Sequence, residues 1–279
     1  MDIRPVRTGR LRIRSRHRRG VGRYWPTRLL RTLACREWAT PVPIFAWLLD
    51  HPEGSILVDT GESARSDEAG YFPGWHPFYR LAFDPHVVAS DEIGPQLRSS
   101  GVEPTAIDRV VLTHLHTDHA GGLRHLPDAE VLVRGREFRR ANSLVGRVQG
   151  HVPSMLPDGF APTTYDLIDE PYGPFPRHRP ITRNGDVIAV PTPGHTAGHV
   201  SIIVERDDHA VFLAGDASYT EGLHLDGTVD GVTFYGRAAR RTHDRIRAFA
   251  RERPTIYLPS HDPAAPERLE AERTLPVDR

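Results

Sequence analysis

Four metal-ligating side chains within six residues constrain this chain more than any other feature. They lie in His114-Leu115-His116-Thr117-Asp118-His119, which runs on into Ala120-Gly121-Gly122. The stretch follows an apolar run, Arg109-Val110-Val111-Leu112, with the length and β-branched content of a buried strand. Where the backbone stays extended past such a strand, alternate residues point to one side. His114, His116 and Asp118 then share that side, and His119 joins them where the chain turns into a helix. Gly121 and Gly122 allow a tight turn and keep bulk off the backbone. Three imidazoles and a carboxylate so gathered suit zinc or a similar divalent ion. A merely solvated or capping loop explains one histidine pair but not the whole cluster.

Three further candidate ligands share a placement, each just past an apolar run of strand length. His195 follows Asp186–Val190, Asp216 follows Ala210–Ala214, and His261 follows Thr255–Leu258. Loops at strand ends converge on one edge of layered α/β folds and carry the site. Five imidazoles and two carboxylates are too many for one tetrahedral zinc; they suit two divalent ions with one carboxylate bridging. Zinc is the first expectation. Manganese, cobalt and iron fit the same donors, because affinity order does not fix occupancy. Asp59 ends the strand Ser55–Val58; a helix cap is one reading, and an acceptor for a metal-bound imidazole is the preferred one. His199, four residues past His195, is expected to support the ligands and not to be one. His17, His51, His76, His86, His125, His151, His178, His209, His224 and His243 read as surface or packing residues.

The ordered set His114-x-His116-x-Asp118-His119, His195, Asp216 and His261 resembles the metallo-β-lactamase superfamily from about Pro43 to His261, and Asp59 matches that family's buried aspartate. The resemblance implies an αββα four-layer sandwich with two metals at one edge of the paired sheets. Asp216-Ala217-Ser218-Tyr219, Pro193-Gly194-His195-Thr196-Ala197-Gly198-His199 and Ser260-His261-Asp262 are further similar to the N-acyl-homoserine lactonases, which place a tyrosine three residues after the bridging aspartate. That similarity implies one ion on His114, His116 and His195, the other on Asp118, His119 and His261, and Asp216 between them. It also implies attack of a bridging hydroxide on a lactone carbonyl. Tyr219 and one metal would steady the oxyanion, and Asp118 would pass a proton to the leaving alkoxide. The implied partner is a small lactone, and some members of the family form homodimers. A glyoxalase II-like thioester hydrolase, or another promiscuous esterase, shares the ligand set. The helical domain with basic residues that glyoxalase II carries for glutathione has no clear counterpart here.

The remaining pattern alternates strands with helices, the mark of an α/β chain. Pro43–Leu49 and Ser55–Asp59 pair around His51-Pro52-Glu53-Gly54. A helix over Asp91–Ser100, capped at Ser90 and closed by Gly101, is followed by the strand Glu130–Val133 and a helix from Arg136 to about Ala141. The strand Val200–Val204 and a long helix over Arg237–Arg251 come later. With no fixed repeat and no linker tract, 1–279 reads as one domain. Residues 64–88 are aromatic and broken by prolines. Core packing and an apolar substrate pocket fit them equally, the pocket placing Phe72, Trp75 and Phe78 against substrate. Residues 150–180 form a second irregular stretch and a candidate lid. The arginine-rich region 1–41 alternates partly between Ile3 and Arg14, as in a half-exposed first hairpin turning near Thr8-Gly9.

Composition narrows the remaining classes. The formal net charge is zero, so no net field draws in nucleic acid or an acidic membrane surface. No apolar run approaches the roughly 20 residues that cross a bilayer. Every basic residue is arginine, which excludes a Schiff-base or P-loop lysine. Cys35 is the only cysteine, which excludes an internal disulfide and a thiolate metal cage and makes the cytoplasm the expected location.

Overall fold

Val42–Asp50 and Val200–Glu205 are apolar at nearly every position, a pattern that suits strands covered on both faces. The computed structural model describes residues 1–277; Asp278 and Arg279, the end of the expected domain 1–279, lie outside the described residues. Two sheets supply the cover. The first contains β1 (Asp2–Ile13), β2 (Val42–Asp50), β3 (Ile56–Val58), β4 (Phe83–His86), β5 (Arg109–Leu112), β6 (Glu130–Arg134) and β7 (Thr163–Tyr165), in the order β4-β1-β2-β3-β5-β6-β7. The second contains β8 (Arg179–Pro180), β9 (Val187–Pro191), β10 (Val200–Glu205), β11 (Ala210–Gly215) and β12 (Thr255–Pro259), in the order β12-β11-β10-β9-β8.

Successive side chains on a strand face opposite ways, and here each side has its own core. Phe45, Trp47, Leu49 and Val111 of the first sheet meet Ala189, Ile202, Val204, Leu213 and Leu258 of the second. Their neighbours Ala46, Leu48, Val110 and Leu112 face outward, beneath Ile93 and Leu97. On the other side, Ile203, Phe212 and Tyr257 lie beneath Ile246, Phe249 and Ala250. The covering helices complete the expected αββα sandwich.

In chain order the helices are α1 (Ser15–Arg18), α2 (Trp25–Leu33), α3 (Pro77–Leu81), α4 (Ile93–Ser99) and α5 (Thr117–Ala120). They continue as α6 (Gly135–Ala141), α7 (Leu144–Val148), α8 (Glu221–Leu225), α9 (Gly236–Glu252) and α10 (Ala265–Glu270). Ile93 and Leu97 belong to α4, and α9 buries Ala239, Thr242, His243, Ile246, Phe249 and Ala250, the stripe a surface helix turns to its core. Among the described residues no helix is long and apolar enough to cross a membrane.

Strand direction places the site. β3 and β5 are parallel. β9 and β11, both antiparallel to β10, run the same way as β12. The carboxyl ends of each set therefore open onto one edge.

Four expectations change. The N-terminal stretch is one strand, β1, between β2 and β4; the Thr8-Gly9 step is a bulge in its register with β2, with Gly9 at φ +109°. A bulge and a hairpin turn use the same small residues, so the dipeptide did not separate them. Residues 64–88 yield α3 and β4 as well as loop. The helix expected over Asp91–Ser100 starts at Ile93, with Glu92 as its N-cap residue in place of Ser90. Residues 150–180 give a strand to each sheet, β7 and β8.

Glu92 ties these parts together. It is 2% exposed and accepts from Ser63 Oγ (3.0 Å), the Ala64 N–H (2.8 Å), Arg124 (2.6 Å) and His125 Nε2 (2.9 Å). Burial pushes its pKa up, but Arg124, Ala64, His125 and Ser63 outweigh it and bring the group from 4.5 down to about 2. A depressed folded-state pKa contributes stability that is present above the unfolded value and lost as pH falls through the folded one. Glu92→Gln should therefore flatten the loss of stability between pH 4.5 and about 2, read by urea unfolding at a series of pH values.

Candidate metal centre

The turn after β5 builds the first half of the site. Past β5 the chain bends at Thr113 and again at His116, the extended N-cap residue of α5, and His119 lies within that one-turn helix. Gly122 is needed for close approach: a Cβ there would stand 2.2 Å from the Thr60 carbonyl oxygen. Gly121 has an ordinary helical φ of −67°, so packing and not conformation accounts for this glycine pair. The Thr60 N–H donates to the His119 carbonyl (2.7 Å), locking the turn after β3 to the turn after β5.

Asp59 sits on that seam at φ +61°, a left-handed conformation rare for a residue with a side chain. Its carboxylate accepts from the Thr113 N–H (2.8 Å), from Thr113 Oγ1 (2.9 Å) and from His119 Nδ1 (2.7 Å). With its own proton given to Asp59, Thr113 Oγ1 is an acceptor for His114 Nδ1 at 3.1 Å. His116 Nε2 donates to the Gln149 carbonyl (3.1 Å) and His261 Nδ1 to the Pro43 carbonyl (2.9 Å). Each outward nitrogen that carries the proton leaves the inward one with a bare lone pair.

Those lone pairs converge. His114 Nε2, His116 Nδ1 and His195 Nε2 stand 3.2 and 2.8 Å apart in sequence. His119 Nε2 and His261 Nε2 face Asp216 Oδ1 across 3.2 and 3.3 Å, and Asp118 Oδ2 lies 3.4 Å from His261 Nε2. A tetrahedral zinc with bonds of about 2.0–2.1 Å to nitrogen needs donors about 3.3–3.4 Å apart. His119 Nε2, His261 Nε2 and Asp216 Oδ1 are buried and have no hydrogen-bond partner among the described residues. Acceptors aimed at one another without protons between them call for a cation, so this donor set fits divalent metal. Burial pushes the His119 and His261 pKa values down, but Asp216 and the neighbouring carboxylates reverse this, His261 rising to about 10; the same demand for positive charge is visible there.

His199 and Asp216 are linked from behind. His199 Nδ1 meets Thr192 Oγ1 at 2.8 Å, and its Nε2 accepts the Asp216 N–H at 3.0 Å. Gly215, at φ +56°, makes that turn; a Cβ there would lie 2.9 Å from His199 Nε2.

The centre opens into a cavity. His116, Asp118, His195, Asp216 and Tyr219 form its floor, and Phe78, Tyr79, Phe83, Leu29, Val148, Val232 and Phe234 its apolar walls. Phe78 thus faces the cavity. Phe72 stands behind that wall, stacked on Tyr79 at 4.4 Å between ring centroids. Trp75 is 61% exposed and lines nothing there, so its expected place against substrate is corrected: proline-flanked aromatics mark a pocket region without saying which rings turn inward.

Four residues escaped the sequence reading. Glu137, on α6, is 1% exposed and clips the ligand loops together through the Leu115 N–H (3.2 Å), Thr196 Oγ1 (2.8 Å) and the Gly198 N–H (3.1 Å). Asp230 lies 3.8 Å from His195 Nδ1, too far for a direct hydrogen bond. His17 and His76, read as surface or packing residues, both line the cavity. No local motif surrounds any of the four; a lone Glu in a charged helix carries no signal.

The sequence profile of the metallo-β-lactamase superfamily matches residues 39–261. An N-acyl homoserine lactonase from a Bacillus species is 30% identical over 226 residues, which cover 79% of this chain and 82% of that protein. The structure of an N-acyl homoserine lactone hydrolase with N-hexanoyl-L-homoserine at its catalytic metal centre is similar with a TM-score of 0.76 and 23% identity, covering 98% of this chain and 97% of that one. AidC, a dizinc quorum-quenching lactonase, is similar with a TM-score of 0.63 and 16% identity, covering 94% and 87%. At these identities the two structures speak for the fold alone.

Asp59→Asn keeps the shape of the seam but turns an amide N–H₂ toward His119 or Thr113. Metal affinity should fall by about 10–100-fold, as for other outer partners of ligating imidazoles, measured by competition with a chromogenic chelator.

Proposed function

The chain belongs to the metallo-β-lactamase superfamily, and from that premise we propose that it is a dinuclear metal-dependent lactonase. The substrates we infer are N-acyl-homoserine lactones, whose ring opening silences quorum signals. In this reading His114, His116 and His195 hold one ion, Asp118, His119 and His261 the other, and Asp216 bridges them, all within one hydrolase domain spanning 1–279. Zinc is the first candidate. The relatives that bear the name lactonase support the choice of substrate.

The observation that carries the reading is the placement of Tyr219. Its ring stacks on that of His261 at 5.2 Å between centroids, it is 4% exposed, and it lines the cavity beside Asp118 and Asp216. Burial, with Asp216 and Asp230 nearby, raises its pKa well above the ordinary tyrosine value, so the hydroxyl keeps its proton. A protonated hydroxyl at the cavity floor is a donor for an oxygen that gains negative charge.

Two divalent ions held there supply a water of lowered pKa and polarisation of an ester carbonyl. The chain itself does the rest. The apolar walls exclude water and take the acyl chain. Tyr219 donates to the carbonyl oxygen as the ring carbon becomes tetrahedral. Asp118, on the cavity floor, can take the proton that the attacking water gives up and hand it to the alkoxide that leaves when the ring opens.

Metal-loaded protein should hydrolyse N-hexanoyl- and N-decanoyl-homoserine lactone, with Asp216→Asn abolishing turnover. Cleavage of a glutathione thioester in their place would move the function to the thioesterase class on the same centre. Phe78→Ala should raise KM for the decanoyl substrate by about tenfold and much less for the hexanoyl one, the cost of removing a large apolar contact. Trp75→Ala should leave both within about twofold, as expected for an exposed side chain.

A further inference from the structure

The N-terminal segment precedes residues 39–261, which the superfamily profile matches, yet it reaches the cavity floor. His17 of α1 is 2% exposed, and its Nε2 lies 2.8 Å from Tyr219 Oη with the rings edge to face at 5.4 Å. Its backbone is held on both sides. The His17 N–H donates to the Arg14 carbonyl (2.9 Å), and the His17 carbonyl accepts the Gly231 N–H (2.7 Å). Gly231 approaches so closely that a Cβ there would lie 3.0 Å from His17 Cα. Thr32 Oγ1 lies between the Arg16 carbonyl (3.1 Å) and the Arg28 carbonyl (3.0 Å), and the rings of Phe78 and His17 meet edge to face at 5.3 Å between centroids.

Burial brings the pKa of His17 down to about 4, so at neutral pH the ring carries one proton, and there are two places for it. On Nδ1, which is buried and has no partner among the described residues, the proton would be a buried donor with no acceptor. Tyr219 would then also commit its only proton to His17 Nε2. On Nε2, the proton goes to Tyr219 Oη and the unpaired atom is a bare nitrogen lone pair. Buried N–H groups without acceptors are rarer than buried acceptors without donors.

We propose that His17 is a positioning residue for the lactonase reaction: its Nε2–H donates to Tyr219 Oη and leaves the phenol proton free for the substrate oxygen. The inference rests on the proposed function. A hydroxyl that accepts a hydrogen bond is polarised into a stronger donor. With one ring face against His261 and its oxygen held by His17, Tyr219 has its hydroxyl fixed before substrate arrives. A region outside the residues that the superfamily profile matches thereby completes the site.

Two measurements test this. Long-range proton–nitrogen correlation spectra of protein labelled with ¹⁵N-histidine should show His17 protonated on Nε2 and bare on Nδ1; the opposite tautomer overturns the proposal. In kinetics with a homoserine lactone, His17→Phe should lower kcat about tenfold with KM within about twofold, a fraction of what loss of an oxyanion donor costs. His17→Gln, which places an amide N–H near the position of Nε2, should recover most of that loss. Added to Tyr219→Phe, His17→Phe should cost nothing further, since residues acting as a unit are not additive. Full kcat in His17→Phe, or losses that multiply, contradicts it. If the unaltered metal-loaded protein opens no lactone, the functional reading fails, and the tautomer still decides whether His17 donates to Tyr219.

Discussion

Everything at the centre depends on one buried carboxylate. Asp59 takes the hydroxyl proton of Thr113 and the Nδ1 proton of His119 at once, and so fixes which nitrogen of His119 and of His114 looks inward. The Gln149 and Pro43 carbonyls do the same for His116 and His261. The protein arranges acceptors on the outside so that bare nitrogens and carboxylate oxygens meet on the inside. That arrangement is costly without positive charge between the donors, and Asp59 itself sits in a strained backbone conformation to maintain it.

The sandwich exists in a form that makes this possible. Asp59 and the cluster around His114–His119 come from one sheet, His195, Asp216 and His261 from the other. The core between the sheets sets their separation, and at the edge polar clips take over. Glu137 joins the loop at Leu115 to the loop at Thr196 and Gly198. Burial pushes its pKa up, and His151 and Thr196 outweigh this to bring it to about 2, so the clip is ionised at neutral pH. The Phe45 N–H donates to the Ser260 carbonyl at 3.0 Å, beside His261. Donor side chains from the two sheets thus meet where hydrogen bonds between loops take over from the apolar core.

Much of this was legible in the sequence. β2, β5, β9, β10, β11, β12 and α9 are long or strongly apolar enough for periodicity to reveal, and each ligand follows such a run. Asp59 could be read as a support from its place at the end of a strand and its match to the family's buried aspartate, and His199 from its spacing of four residues past His195. What the sequence did not reveal depends on contacts between distant segments. Thr8-Gly9 serves a bulge as well as it serves a turn. Glu92 spends its side chain on Ser63, Ala64, Arg124 and His125, partners that no local pattern names. His17 looks like one more basic residue in an arginine-rich stretch until α1 is packed against Tyr219. Trp75 and Phe78 are indistinguishable as aromatic residues; Trp75 stands exposed ahead of α3, and Phe78, on α3, lines the cavity.

If the inward lone pairs hold two cations, metal stoichiometry shows it. Equilibrium dialysis of chelator-stripped protein against Zn²⁺, with metal counted by plasma mass spectrometry, tests it most directly. Two ions per chain are expected, falling to one in His261→Ala while the His114, His116 and His195 site stays filled. A limit of one ion in the unaltered protein, or none, would contradict it.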